Sequence, residues 1–331
     1  MKRLPDALRR ATLCTAVMAC FGTIATPAFA QGGAWPQRPI TLVVGYPPGG
    51  STDLVGRTLG TDLAAKLGVP VVVENLGGAG GSLAAQKVAL ANPDGYTLLV
   101  GANNEIAINA LVRKTVKYQT KNFTPLALLA SQPLVLTTAP TNPVKNTADF
   151  LKAVKSKPAF YSYGSSGVGT SLHMTAEMVK QQGGLFMTHI PYRGTGPLTT
   201  DLIGGSLDYG VYVLSSALPL IKSGKLVAIG TSETKRSPVT PDVPALSENP
   251  ALKGVDMSVW FALLGPAGLP EAVQSKLKGA IGEILKASEF RKSMEASGSV
   301  VPTTQPDLSA FLASETDKYR RIVEFAHITD E

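Results

Sequence analysis

From Pro36 onward, short uninterrupted apolar runs alternate with stretches of helical period. Ile40–Val44 reads as a buried strand, followed by a Gly/Pro turn and a helix over about 52–67 with Leu59, Leu63 and Leu67 on one face. Val71–Val73 predicts a second strand. A glycine-rich loop at 77–81 then leads into an alanine-rich helix ending near Ala91, and Tyr96–Val100 predicts a third strand. Strands that are apolar throughout and separated by helices predict a parallel sheet covered on both faces. A second unit begins after about residue 130, with strands predicted at 134–138, 159–163, 187–191, 207–213 and 226–231. Helices over 147–157, 171–182, 197–203 and 216–223 fall between them. The proline-rich stretch 237–244 is a stiff connection, and 258–264 predicts one more buried strand. Two C-terminal helices follow, one with Val273, Leu277, Ile281 and Leu285 on a face, the other over about 307–325. The pattern predicts an α/β chain of two lobes, each a mostly parallel sheet flanked by helices, with a cleft between them. Lobe 1 is assigned to 31–130 with 245–331 returning to it, and lobe 2 to 131–244. Hinged lobes of this kind close around small ligands.

The first thirty residues stand apart. Lys2, Arg3, Arg9 and Arg10 precede an apolar run from Ala11 to Ile24, and Ala28-Phe29-Ala30 supplies a small-x-small site. This predicts a secretory signal peptide, residues 1–30, cleaved after Ala30, and hence a periplasmic protein. The run is short and interrupted by Thr15, Gly22, Thr23 and Thr26, which disfavours a membrane anchor.

Composition matters mainly through that leader. The 331-residue chain has a formal net charge of +7, and the leader carries four positive charges and Asp6, leaving +4. The remaining lysines are scattered and form no basic stripe, so nucleic acid is not an expected partner. Both cysteines, Cys14 and Cys20, lie in the leader, so the mature chain has no disulfide, thiol nucleophile or thiolate metal site. It is held by its core alone, which a chain of this length can supply.

Candidate chemistry concentrates in two loops. Gly45-Tyr-Pro-Pro-Gly-Gly-Ser-Thr-Asp53 joins a strand to a helix. The prolines stiffen the turn, the glycines allow close backbone approach, and the helix start offers N–H groups and a partial positive charge to a carboxylate or phosphate. The same residues also suit a simple capped turn, with Asp53 satisfying its own helix N-terminus. Tyr163-Gly-Ser-Ser-Gly-Val-Gly-Thr-Ser171 repeats the design in the second unit. Two such ends on two lobes would clamp an anion without a buried arginine.

Other motifs carry less. Gly77–Gly81 matches neither a dinucleotide nor a phosphate-loop pattern. Gly164-Ser-Ser-Gly167 is one residue short of a nucleophile elbow. His173 and Glu177 have helical spacing but no evident third metal ligand. His189, in a strand pattern, reads as structural, and no serine has an identifiable base beside it. No catalytic constellation, metal site or cofactor motif is present, and a non-enzymatic role is expected.

At these loops the chain resembles the substrate-binding proteins of tripartite tricarboxylate transporters, the Bug or TctC-like family. The resemblance rests on Trp35–Val44, Tyr46-Pro-Pro-Gly-Gly50 with Asp53, Val71–Asn75 leading into Gly78–Gly81, and Asn92–Leu99. It continues with Gly167–Thr170 and His173, Ile190–Gly194, Asp201–Gly205 with Asp208, Ser223–Leu226, Asp242–Ala245, and Trp260 with Gly265–Gly268, covering essentially the whole mature chain. It implies a type II-like, two-lobed periplasmic binding protein that closes on a small carboxylate. Carried over, the binding residues are Tyr46, Pro48, Gly50, Ser51 and Asp53 in the first loop, and Ser165, Ser166, Gly169 and Thr170 in the second. Asp208 matches a family acidic position near the cleft. The chain departs from the family at Tyr118-Gln-Thr120, at Ala110 after Asn109, and at Tyr212, near which members often carry an acid. Asn103-Asn104-Glu105 follows the third strand and could lie along the cleft, although a Glu there more commonly sits on a solvated loop.

The expected function is capture of a small organic carboxylate (a di- or tricarboxylate, aromatic acid or amino acid) and delivery to the inner-membrane permease subunits of a tripartite tricarboxylate transporter. A monomer is the default for a cleft-closing binder. The alternatives are a ligand-sensing partner of a membrane sensor kinase and a periplasmic serine hydrolase acting through Ser165 or Ser166.

Overall fold

The computed structural model describes residues 35–329, so the leader predicted at 1–30 lies outside the described residues. Parallel strands β1 (Ile40–Val44), β2 (Val71–Asn75) and β3 (Thr97–Ala102) pair in the order β2–β1–β3, as the apolar runs predict. Helices α1 (Ser51–Leu67) and α2 (Ser82–Ala89) form the crossovers. α1 buries Val55, Leu59 and Leu63 against the sheet and stops at Gly68, whose φ of 71° is costly for any residue with a Cβ. β3 runs into a π-helical turn, Asn104–Ile108, and a short helix α3 (Asn109–Val112), neither of which the hydrophobic pattern announces.

The strand expected at 134–138 is the second half of a 16-residue strand, β4 (Phe123–Thr138). Its first half pairs antiparallel with β9 (Ser258–Pro266), from Phe123↔Pro266 to Pro133↔Ser258, and β9 lies antiparallel against β3. Its second half pairs antiparallel with β7 (Tyr209–Val213), starting at Leu134↔Val213. Beyond β7 lie β5 (Ser162–Ser165) and β6 (Thr188–Pro191), both parallel, while β8 (Val227–Thr231) also pairs with β4. The first half of β4 escaped the sequence pattern because Pro125 and Pro133 interrupt it. A proline cannot donate to a ladder, and both stand where the ladder breaks: Pro125 at a register shift, Pro133 where β4 changes partner strands.

The second half carries helices α4 (Thr147–Ser156), α5 (Ser171–Gly183), α6 (Thr195–Ile203) and α7 (Leu214–Lys222), close to their expected positions. Leu198, Leu202, Leu207, Leu214 and Tyr212 pack into one core against Val135 of β4. Three helices follow β9: α8 (Glu271–Ile284), α9 (Ser288–Ala296) and α10 (Leu308–Ala326). α9 was not anticipated, since it buries only Phe290 and Met294 among charged neighbours. The fold is thus α/β on one mixed sheet, with parallel strands in each half and antiparallel β4 and β9 between them. The expectation of two covered faces fails at the edges, where β2 and β6 are partly exposed. No helix among the described residues is long and apolar enough to cross a membrane.

Candidate functional site

A cavity of about 390 Å³ lies where several strands end and the following helices begin. Ligands of open α/β sheets bind in this place, outside the carboxyl ends of the strands. Ser51, Ser171 and Thr195, the first residues of α1, α5 and α6, are all on its wall, and so is Val213, which caps α7. Its apolar side includes Ala102 at the end of β3 and, on one face of β9, Val259 and Phe261; Ala102 and Phe261 are register partners. No Lys, Arg, Asp or Glu lines it. Larger cavities of about 520 Å³ exist: one lies beside α10, and the other joins the starts of α1 and α7 but includes Lys222 and reaches neither α5 nor α6.

The first loop is held from behind. Asp53 is 2% exposed, and its Oδ2 accepts from the Gly49 N–H at 2.8 Å and Arg57 Nε at 2.9 Å. Its Oδ1 accepts from Asn75 Nδ2 at 2.8 Å, and that amide also donates to the Tyr46 carbonyl at 2.9 Å. Burial alone would raise the Asp53 carboxyl; the donors from Arg57, Gly49 and Asn75 outweigh it and hold the group below its ordinary value. Asp53 therefore shapes the turn rather than lining the cavity, while Tyr46, Pro48, Gly50 and Ser51 are on the wall. α1 has Gly50 at its N-cap position and so no side-chain cap, which leaves its first N–H groups without a side-chain acceptor. The turn also needs two glycines: a Cβ on Gly45 would sit 2.7 Å from the Gly81 Cα, and one on Gly81 would sit 2.9 Å from the Glu105 carboxyl.

Of the second-loop candidates Ser165, Ser166, Gly169 and Thr170, only Ser166 lines the cavity. Ser165 is fully buried, and its Oγ donates to the Gly167 carbonyl at 3.1 Å and lies 2.7 Å from His189 Nε2. Thr170 caps α5, its Oγ1 accepting from the His173 N–H at 3.4 Å and donating to the Gly167 carbonyl at 2.8 Å. Gly169, at φ 69°, packs where a Cβ would meet Val112 Cγ2 at 2.8 Å. Asp208 is not at the cavity: its carboxylate accepts from the Ser162 N–H and Oγ at 2.8 and 2.9 Å, at the opposite ends of β5 and β7. It braces the sheet.

Glu105 corrects the expectation of a solvated loop. It is fully buried, its Oε1 accepting from the Ala102 N–H at 2.7 Å and its Oε2 from the Tyr46 hydroxyl at 2.6 Å. Burial raises its carboxyl to about 7, against the lowering effect of those donors. Beside it, Asn104 lines the cavity and crosses it: Oδ1 accepts from the Ser171 N–H at the start of α5 at 3.0 Å. The turn is anchored by Asn103, whose Nδ2 donates to the Ser258 carbonyl and to the Tyr319 hydroxyl, both at 3.0 Å. Tyr212 is also buried, in the second-half core, 3.1 Å from Thr199 Oγ1.

The absence of a base beside any serine was likewise an error of sequence reading. Pairing of β5 with β6 sets Tyr163 beside His189, which leaves Ser165 two residues along on the same face. The histidine stacks on His173 at 3.8 Å between centroids, and burial first, then neighbouring charge, lowers these imidazoles to about 3 and about 4. Both rings are neutral at ordinary pH, and no substrate can reach a fully buried Ser165. Tyr163 and Lys180 both donate to Glu177, 3.8 Å from His173, and no group of three possible metal ligands occurs among the described residues.

Sequence reasoning missed Thr195 and the apolar wall. A signal for Thr195 existed: Gly194-Thr-Gly-Pro197 is a third strand–loop–helix junction, following β6.

Residues 55–327 match the model of the tripartite tricarboxylate transporter family receptor. The chain belongs to that receptor family. The receptor is 31% identical to protein BugT of Bordetella pertussis over 303 residues, covering 91% of this chain and 92% of that one. It also resembles solved structures. R. palustris Rpa4515 with adipate matches at TM-score 0.79 and 28% identity, covering 89% of this chain and 99% of that one. MatC from Rhodopseudomonas palustris with bound malate matches at TM-score 0.74 and 32% identity, covering 87% and 99%. The receptor is a periplasmic solute-binding protein of the TctC/Bug type.

Proposed function

We propose that this receptor captures a small organic carboxylate and delivers it to the inner-membrane permease subunits of a tripartite tricarboxylate-type transporter, as a monomer and without a cofactor. The observation that carries this reading is the convergence of the starts of α1, α5 and α6 on a cavity with no charged side chain. Each helix start brings roughly half a positive charge, and those of α1 and α6 also have no side-chain cap on their first N–H groups, an arrangement that receives a carboxylate without a cation. The solved relatives named with adipate and malate hold ligands of this class.

Within this reading Tyr46, Pro48, Gly50, Ser51 and Ser166 face the ligand. Asp53, Ser165, Gly169 and Thr170 hold the loops that carry those contacts, and Asp208 lies out of reach. The ligand shifts the lobes toward closure through its greater affinity for the closed form. The leader is removed after Ala30, and the lobes divide as 31–130 with 245–331, and 131–244.

The test is a thermal-shift screen of periplasmically produced protein against aliphatic di- and tricarboxylates, aromatic acids and amino acids. A micromolar ligand at millimolar concentration should stabilise the fold by about 4 kcal/mol. Stabilisation by a carboxylate and not by its methyl ester supports the reading. No stabilisation by any acid, from protein unfolded and refolded to empty the site, overturns it.

A further inference from the structure

We propose that this receptor takes up a proton together with its carboxylate ligand, the proton residing on Glu105 and the Tyr46 hydroxyl relaying the change to the cavity. The inference rests on the carboxylate reading above and adds a second, buried component to that site.

The hydrogen bonds form one row. The Ser171 N–H donates to Asn104 Oδ1 at 3.0 Å, Asn104 Nδ2 approaches the Tyr46 hydroxyl oxygen at 3.5 Å, and Tyr46 donates its proton to Glu105 Oε2 at 2.6 Å. Glu105 Oε1 closes the row on the Ala102 N–H at 2.7 Å. With Glu105 ionised, the Tyr46 proton points away from the cavity and the Ser171 N–H is already engaged. A carboxylate arriving beside Tyr46 then meets a hydroxyl turned away from it, an engaged Ser171 N–H and a second buried negative charge.

Protonation of Glu105 reverses the first and the last of these. The new proton sits on Oε2 and is donated to the Tyr46 oxygen, so the tyrosine's own O–H must find another acceptor. It can take the ligand directly. The competing acceptor is the Gly80 carbonyl, 3.5 Å from the hydroxyl, which the ligand displaces. With the ligand as acceptor the site gains one donor and loses one negative charge, and one proton is bound per ligand. Burial places the Glu105 carboxyl at about 7, so this proton exchanges near neutral pH.

The groups around the turn leave Glu105 as its titrating member. Tyr118 donates to the Glu105 carbonyl rather than the carboxylate, and the Arg113 charge is felt at that tyrosine. On α10, Glu315 is held by Trp260, Tyr319 and Lys318, and Asp317 pairs with Arg320. On α2, Lys87 is paired with Glu74. On α5, His173 is neutral and accepts from the Gly169 N–H at 3.2 Å.

The experiment is isothermal titration of the purified receptor with adipate and with malate at about pH 8, in buffers of differing ionisation enthalpy, with Kd followed from about pH 6 to 9. Wild type should take up close to one proton per ligand, and its affinity should fall up to about tenfold per pH unit above neutrality. Glu105→Gln, whose amide can donate to Tyr46 as the neutral acid does, should bind with no proton uptake and with Kd constant within about twofold over that range. Binding by wild type without proton uptake overturns the proposal and leaves the carboxylate reading intact, whether or not the variant folds. A variant that keeps the wild-type pH profile also overturns it. Failure of both proteins to bind any carboxylate removes both readings together.

Discussion

A carboxyl raised by burial is a stability statement. Below the ordinary glutamate range Glu105 is protonated in both folded and unfolded chains; above it, the unfolded chain releases a proton that the folded chain retains until about pH 7. Folding stability should therefore fall as pH rises through that interval. Glu105→Gln should remove the slope, so that the difference in melting temperature between variant and wild type grows from about pH 4.5 to 8. Equal pH profiles for the two proteins would refute the burial argument. Asp53 has the opposite sign. Its carboxyl is held low, so its contribution is present above the ordinary aspartate range and is lost as pH falls through its folded value. Asp53→Ala strands the Asn75 amide and the Gly49 N–H, and should cost about 1–3 kcal/mol in urea unfolding, together with weaker ligand binding. The two residues show what one sequence can convey. Asp53 was legible as a helix-start residue because its partners Gly49 and Arg57 are local. Glu105 was read as solvated because its burial depends on Tyr46 and Gly81, which are distant in sequence.

Helices and strands were legible wherever a single period persisted, as in α1 and α5, and lost where it was interrupted, as in the proline-flanked half of β4. The helix starts carry the site, so their caps are the points to perturb. Thr170→Ala removes the side-chain cap of α5 and should lower stability by about 1 kcal/mol in denaturant unfolding. Gly45→Ala is a harsher change at the other lobe, because the Cβ meets backbone at Gly81 and not a side chain that can turn aside. Its loop must move away from residues 79–81, and carboxylate affinity should drop by at least about tenfold, about 1.4 kcal/mol. Retained affinity would show that the spacing of these loops does not set the cavity.

At the scale of the molecule, the two halves supply different walls of one cavity, and Asn104 reaches from one to the other. Two rounds of strand–helix alternation were readable, but the strand shared between the two halves was not, since no local pattern marks a change of partner. Because β4 belongs to both ladders, neither half owns a complete sheet. From Arg38 on, the chain is accordingly one compact unit. A chain cut near Pro133 would leave each fragment with an unpaired strand edge, the usual starting point for aggregation. The intact receptor should melt in one cooperative calorimetric transition, with equal calorimetric and van't Hoff enthalpies. The strand that runs through both ladders thereby ties the survival of the two halves together, so damage to either half is damage to both.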